Sequence, residues 1–122
     1  MSDKNLVVLE KILEEMSIAH SLLGMHDIDS FMEDEMAKRA VCMTVINVGE
    51  LIKNLDMDFR ADNPEVPWRD MAGFRDIAAH KYQTLRMDDV YVTVADEFPS
   101  IAEDIRMICE RYERQDGATG DR

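Results

Sequence analysis

The chain has 122 residues, and its 14 Lys and Arg stand against 26 Asp and Glu, a formal net charge of −12 at pH 7. That acidity excludes a generic coat for nucleic acids or other polyanions. With 46% hydrophobic and 33% charged residues, the composition is that of one folded domain, expected over residues 1–114, with 115–122 as a flexible tail.

No run of about 18 apolar residues occurs. The opening Met1-Ser-Asp-Lys-Asn does not lead from a basic region into an apolar stretch, so the expectation is a cytoplasmic protein without a membrane span. Cys42 and Cys109 are far apart and belong to no Cys-x-x-Cys or Cys/His spacing, which fits reduced, buried thiols.

Strand signals are nearly absent and apolar residues recur every three or four positions, which predicts an all-α protein, an up-and-down bundle of four to five helices. A first helix is expected over 3–23, with Ser2 or Asp3 as its cap, Gly24 after its end, and the stripe Leu6, Leu9, Leu13, Met16, His20, Leu23 turned inward. After a connection at 25–29, Ser30-Phe-Met-Glu33 reads as a capping box opening a second helix. Its stripe Met36, Ala40, Met43, Val48, Leu51, Leu55 would carry it for about 40 Å to Asp56. Asn63-Pro64 and Val66-Pro67 mark 58–67 as a loop.

A short third helix follows from Trp68 to about Ala79 or His80, paced by Trp68, Met71, Phe74/Arg75 and Ala78. Residues 83–86 connect it to a fourth, where Asp88 and Asp89 suit a helix start. Pro99 requires either a kinked helix over 88–114 or two pieces meeting near Phe98. The residues after Tyr112 have little to bury.

Polar residues suited to chemistry concentrate in Trp68-Arg-Asp-Met-Ala-Gly-Phe-Arg75-Asp76-Ile-Ala-Ala-His80-Lys81-Tyr82. Asp76 and His80, four apart on a helix, share a face, so the carboxylate can reach the imidazole and fix its tautomer. Arg75 is close to that face. Tyr82 would point with His80 only if the chain became extended after His80. Arg75 offers a planar fork for phosphate oxygens, and an imidazole with an unperturbed pKa of about 6.5 suits proton transfer. The same spacing also fits a surface charge pair, a helix-terminal His80 and a packed Tyr82.

Together with its surroundings, Arg75-Asp76-x-x-x-His80-x-Tyr82 resembles the Arg-x(4–6)-His-x-Tyr motif of HEPN domains, specifically HepT-like ribonuclease toxins. The resemblance spans roughly 39–105. It includes the helix carrying Asn47-Val-Gly-Glu50-Leu, the Asp62-Asn-Pro-Glu-Val-Pro-Trp68 loop and the Asp-Asp-Val-Tyr-Val-Thr-Val stretch after the motif. It implies a homodimer with two motifs beside a cleft and RNA cleavage that needs no metal or cofactor. Carried over, His80 would move the proton, Arg75 would stabilise the phosphorane, Asp76 would orient the pair, and Tyr82 would assist substrate binding. Lys81, at a position the family leaves variable, either adds charge for substrate phosphate or is solvated. It further implies a small MntA-like nucleotidyltransferase partner that adenylylates Tyr82.

The alternative is a non-catalytic nucleotide- or substrate-binding module serving a nucleotidyltransferase. A third possibility is a purely structural cluster.

Other signals are weaker. Asp56-x-Asp58 with Asp62 lacks the glycine and the bidentate Glu of a calcium loop. His20 and His26 form no repeated Glu-x-x-His, and His20 reads as a half-buried helix residue. The ten Met residues read as core filler. Asn47 and Glu50, one turn apart, could both face the motif. The acidic first and last helices are solvated faces or a dock for a basic partner. Residues 67–87 hold Arg69, Arg75, Lys81 and Arg86 against Asp70 and Asp76, a local charge of +2. Screening within about 8 Å lets such a patch act inside an acidic protein.

Overall fold

Ser2 opens the first helix by accepting the Asn5 backbone N–H at 3.1 Å, and α1 then runs Asp3–Leu23. This computed structural model describes the backbone of residues 1–120 and side chains through 115. After α1 come α2 (Ile28–Glu33), α3 (Glu35–Lys53), α4 (Met57–Asp62), α5 (Trp68–His80), a 3-10 turn (Tyr82–Thr84), α6 (Met87–Val92), a π turn (Thr93–Glu97) and α7 (Phe98–Gly120). The fold is the expected all-α bundle: α3 lies between α1 and α5, α1 also packs on α7, and α2 wedges against α3 and α6. Among the described residues no helix is long and apolar enough to cross a membrane.

The core is one continuous cluster. Leu9, Ile12, Phe31, Val41, Ile52, Val90, Val94 and Ile105 are fully buried, each stabilising the fold by about 1.5–3 kcal/mol relative to exposure. On α1 the buried face is Asn5, Val8, Leu9, Ile12, Met16, Ala19 and Leu23. It is rotated from the expected stripe, so His20 is exposed and not half-buried. Buried Asn5 ties α1 to the α3–α4 junction: its amide donates to Asp56 Oδ2 at 3.2 Å and accepts from the Asp56 N–H at 3.4 Å. Cys42 and Cys109 are free and buried, and burial pushes both thiols up to about 11.

The second expected helix is two. Asp27 caps α2 by accepting the Ser30 N–H at 2.8 Å, and Asp34, extended at φ −103° and ψ 99°, caps α3 by accepting the Ala37 N–H at 3.0 Å. Ser30 is therefore inside α2 and opens no capping box. The break lets Phe31 turn into the core, where its ring lies 5.5 Å from that of Tyr91. It also resets the helix face: α3 buries Val41, Cys42, Thr44, Val45, Val48, Gly49 and Ile52, while Met36, Ala40 and Met43 point outward. At 19 residues α3 spans about 28 Å and not 40.

The stretch expected as loop at 58–67 contains α4, whose Phe59 packs on Trp68 with ring centroids 6.0 Å apart. The rest is a closed turn: Trp68 Nε1 donates to the Asn63 carbonyl at 2.9 Å, and Val66 is buried beneath it. Arg111 of α7 fastens the turn from outside through Glu65 at 3.3 Å.

Pro99 gives the second of the two expected outcomes: α6 ends at Val92, and a π turn joins it to α7, which starts at Phe98. Having no N–H, and a ring that crowds the carbonyl four residues back, the proline forces the ladder to slip one residue just before it. The Phe98 N–H accordingly bonds the Thr93 carbonyl, five residues back. From there α7 buries Phe98, Ile101, Ala102, Ile105, Ile108 and Cys109 against α1 and the π turn. The helix continues past residue 114 to Gly120. Of the tail expected at 115–122, residues 121–122 and the side chains from 116 lie outside the described residues.

Asp34→Ala removes the cap that starts α3, and the expected loss is about 1 kcal/mol in urea unfolding. Equal stability would show that the break does not depend on this side chain.

Candidate active site

Helix α5 packs closely on α3 at a position where α3 has no side chain. A Cβ built on Gly49 would lie 2.1 Å from Arg75 Cβ and 3.3 Å from the Met71 carbonyl oxygen. Gly49 is therefore the seat on which the Arg75 stem rests. Met71 and Ala78, one turn to either side of Arg75, are buried in the same contact surface.

Resting there, Arg75 is only 21% exposed and its guanidinium meets two carboxylates. Nη1 donates to Asp76 Oδ1 at 3.0 Å. Buried Nε lies 2.7 Å from Glu50 Oε1, but its N–H is not aligned with that oxygen, so this contact is an ion pair and not a hydrogen bond. Lys53, one turn beyond Glu50, donates to the same Asp76 oxygen at 2.7 Å. Lys53 and then Arg75 hold the Asp76 carboxyl below its ordinary value. The four groups form a locally neutral network between α3 and α5.

The other motif residues diverge from this network. His80 is the last residue of α5 and exposed, and among the described residues its ring has no hydrogen-bond or ion-pair partner. The expected Asp76–His80 contact is absent because Asp76 is already engaged by Lys53 and Arg75. Lys81 leaves the helix at φ −132° and ψ 34°, its N–H still bonded to the Ile77 carbonyl at 2.8 Å. Its side chain is exposed.

The chain does not become extended after His80. It enters the 3-10 turn, which swings Tyr82 toward the first turns of α3. There the Arg39 guanidinium covers the ring at 4.8 Å and the hydroxyl donates to Glu35 Oε1 at 3.3 Å. Partial burial, then the Glu35 carboxylate, raises the Tyr82 phenol above its usual value. Arg75 and Tyr82 thus pack against opposite ends of α3.

Of the pair Asn47 and Glu50, only Glu50 meets the motif. Asn47 donates instead to Glu15 of α1 at 3.3 Å. Lys53, Glu35 and Arg39 were not foreseen as partners. Lys53 was within reach of sequence reasoning, since it is three residues from Glu50 and shares its face. Glu35 and Arg39 were not, because their role depends on the turn after His80.

The amino-acid sequence matches the model of the ribonuclease HepT-like family over residues 12–108. The chain belongs to that family, and its enzyme class is ribonuclease. It is 31% identical over 93 residues to a "Probable ribonuclease HepT" of Thermococcus cleftensis, covering 76% of this chain and 84% of the relative. A protein of Methanocaldococcus jannaschii, named as a candidate RNase, is 31% identical over 108 residues, 88% of this chain and 89% of its own. Another so named, from Caldanaerobacter subterraneus, is 28% identical over 103 residues, 84% and 92% of the two chains. No solved structure matches.

Gly49→Ala should lower stability by about 1–3 kcal/mol through overpacking against Arg75, despite alanine's better helix propensity. Unfolding curves check this, and a variant as stable as wild type would contradict the contact. The Asp76 interaction carries a pH dependence of definite sign. A carboxyl lowered in the folded state contributes stability above its unfolded pKa of about 3.9, and this is lost as pH falls through the folded value. In Lys53→Met, the Asp76 carboxyl followed by NMR should titrate closer to that ordinary value. An unchanged titration would show that Lys53 does not hold it.

Proposed function

We propose that the chain is a metal-independent endoribonuclease, the toxin of a toxin–antitoxin pair, acting as a homodimer in the cytoplasm. One observation carries the reading: five residues apart on α5, about 8 Å along the helix axis, are a guanidinium held by packing and an imidazole left open to solvent. A ribose 2′-hydroxyl is an internal nucleophile already close to phosphorus, so the protein must supply position, proton transfer and charge stabilisation. His80 takes the hydroxyl proton or returns one to the leaving oxygen. Arg75 stabilises the charge that grows on the phosphoryl oxygens. Asp76 and Glu50 fix the guanidinium, while Tyr82 and Lys81 contact substrate.

A second copy completes the site by packing over the outer row of α3. There Met36 is 83% and Met43 55% exposed, and Met43 lies between Arg39, which covers Tyr82, and Glu50, which meets Arg75. The proposed antitoxin is an MntA-like nucleotidyltransferase that adenylylates Tyr82. The added phosphate would bring bulk and negative charge where RNA must approach.

The pairing of Arg75 with two carboxylates favours one other reading, a nucleotide-binding module without catalysis, since a guanidinium neutralised by Glu50 and Asp76 offers less charge to a transition state.

Purified His80→Ala should lose RNA cleavage in EDTA by about 100-fold or more, the usual worth of a general acid–base group. Its melting temperature should stay at the wild-type value, because the ring is exposed and unpartnered. Cleavage at the wild-type rate would refute the assignment, and nucleotide binding by a wild-type protein that cuts no RNA would establish the binding-module reading.

A further inference from the structure

In a chain where acids outnumber bases almost two to one, most cations meet a carboxylate within 4.0 Å: Lys4, Lys38, Arg39, Lys53, Arg75, Arg86, Arg106 and Arg111 all do. Among the described residues Lys11, Arg60, Arg69, Lys81 and Arg114 do not, and of these Arg60 and Arg69 together line one open groove of about 800 Å³ between α4 and the outer face of α5. Arg60 Nη2 donates to the Leu55 carbonyl at 3.3 Å, and its buried Nε has no partner. The acids on the same groove are Asp70 and Asp76, and Asp76 is already neutralised by Lys53 and Arg75. Within the lining, Arg60 and Arg69 then outnumber the one remaining acid, Asp70.

The row of α5 that runs out of this groove to His80 is equally unusual. Arg69, Gly73, Asp76 and His80 recur at intervals of four, three and four, so they form one exposed row along α5, about 16 Å long. Gly73 sits inside the helix, where glycine is a weaker helix former than alanine. Neither packing nor backbone explains it: a Cβ there would meet nothing within 4 Å, and no glycine has positive φ among the described residues. What glycine provides is a bare helix surface midway between the unpaired arginines and His80. The one aromatic ring of the lining, Trp68, is buried, so the groove offers guanidiniums and backbone and no stacking face.

We propose that this row is the track of a single-stranded RNA flanking the scissile phosphate, with the sugar-phosphate backbone crossing Gly73 and phosphates beyond it held by Arg69 and Arg60. The inference rests on the ribonuclease reading only in taking the His80 end as the reacting end. Because contact is through phosphates, the track tolerates any base along this stretch.

The test is fluorescence anisotropy with a labelled, uncleavable 2′-O-methyl RNA strand long enough to cover the row, read across a salt series. Gly73→Leu should melt no lower than wild type, since leucine favours helix and meets nothing, yet bind on the order of tenfold more weakly. Arg69→Ala should reduce the slope of log K against log salt by about 0.7, the worth of one single-strand phosphate contact. Wild-type affinity and slope in both variants, or no binding by wild type, would overturn the track. Binding that depends on both residues without RNA cleavage in EDTA would sink the ribonuclease reading and leave the track standing. Cleavage with unaltered binding would do the reverse.

Discussion

The rest of the site depends on the contact between Gly49 of α3 and the stem of Arg75 on α5. A side chain of any size at position 49 would collide with Arg75 Cβ, so the two helices can be this close only at a glycine. That closeness brings Glu50 and Lys53 within ion-pair distance of Arg75 and Asp76 and leaves the guanidinium mostly buried. It also sets the register of α5 on α3, so that His80 ends in solvent and Tyr82 reaches Arg39 and Glu35. Two glycines illustrate opposite uses of a missing side chain: Gly49 serves a helix neighbour, and Gly73 leaves a surface bare.

Charge follows the same economy. The net −12 is spread over a surface on which most cations are neutralised by nearby acids. The Arg75 network is itself neutral, so its partly buried guanidinium is charge-compensated until a phosphate competes for it. Of the described cations without an ion pair, Arg60, Arg69 and Lys81 lie near α5, while Lys11 and Arg114 stand apart on α1 and α7. Such a surface repels polyanions broadly and accepts a phosphate backbone along one line.

Much of this was legible in the sequence where a local rule governs. The span of α1, the third helix from Trp68 to His80, the buried thiols and the discontinuity forced by Pro99 follow from periodicity, composition and proline chemistry. The break at Asp34 was hidden because Ser30-x-x-Glu33 satisfies the capping pattern on paper, while the competing caps at Asp27 and Asp34 win once Phe31 has a core to enter. With that break missed, Met36 and Met43 were placed on the wrong face. In the candidate site, the motif nominates Arg75, Asp76, His80 and Tyr82, but it says nothing of Glu35 and Arg39, which Tyr82 meets only because of the turn after His80. Helical spacing permits an Asp76–His80 contact, yet it carries no information on Lys53 arriving from another helix, and tertiary contact decided the outcome.

The central claim is that Arg75 and His80 drive attack by the RNA's own 2′-hydroxyl. The most direct measurement is mass spectrometry of the termini produced when purified wild-type protein cuts RNA in EDTA, beside the same strand carrying a 2′-deoxy sugar at the cut position. The account predicts 2′,3′-cyclic phosphate ends and an intact deoxy strand. Cleavage of the deoxy strand, or fragments carrying 5′-phosphate and 3′-hydroxyl ends, would contradict it.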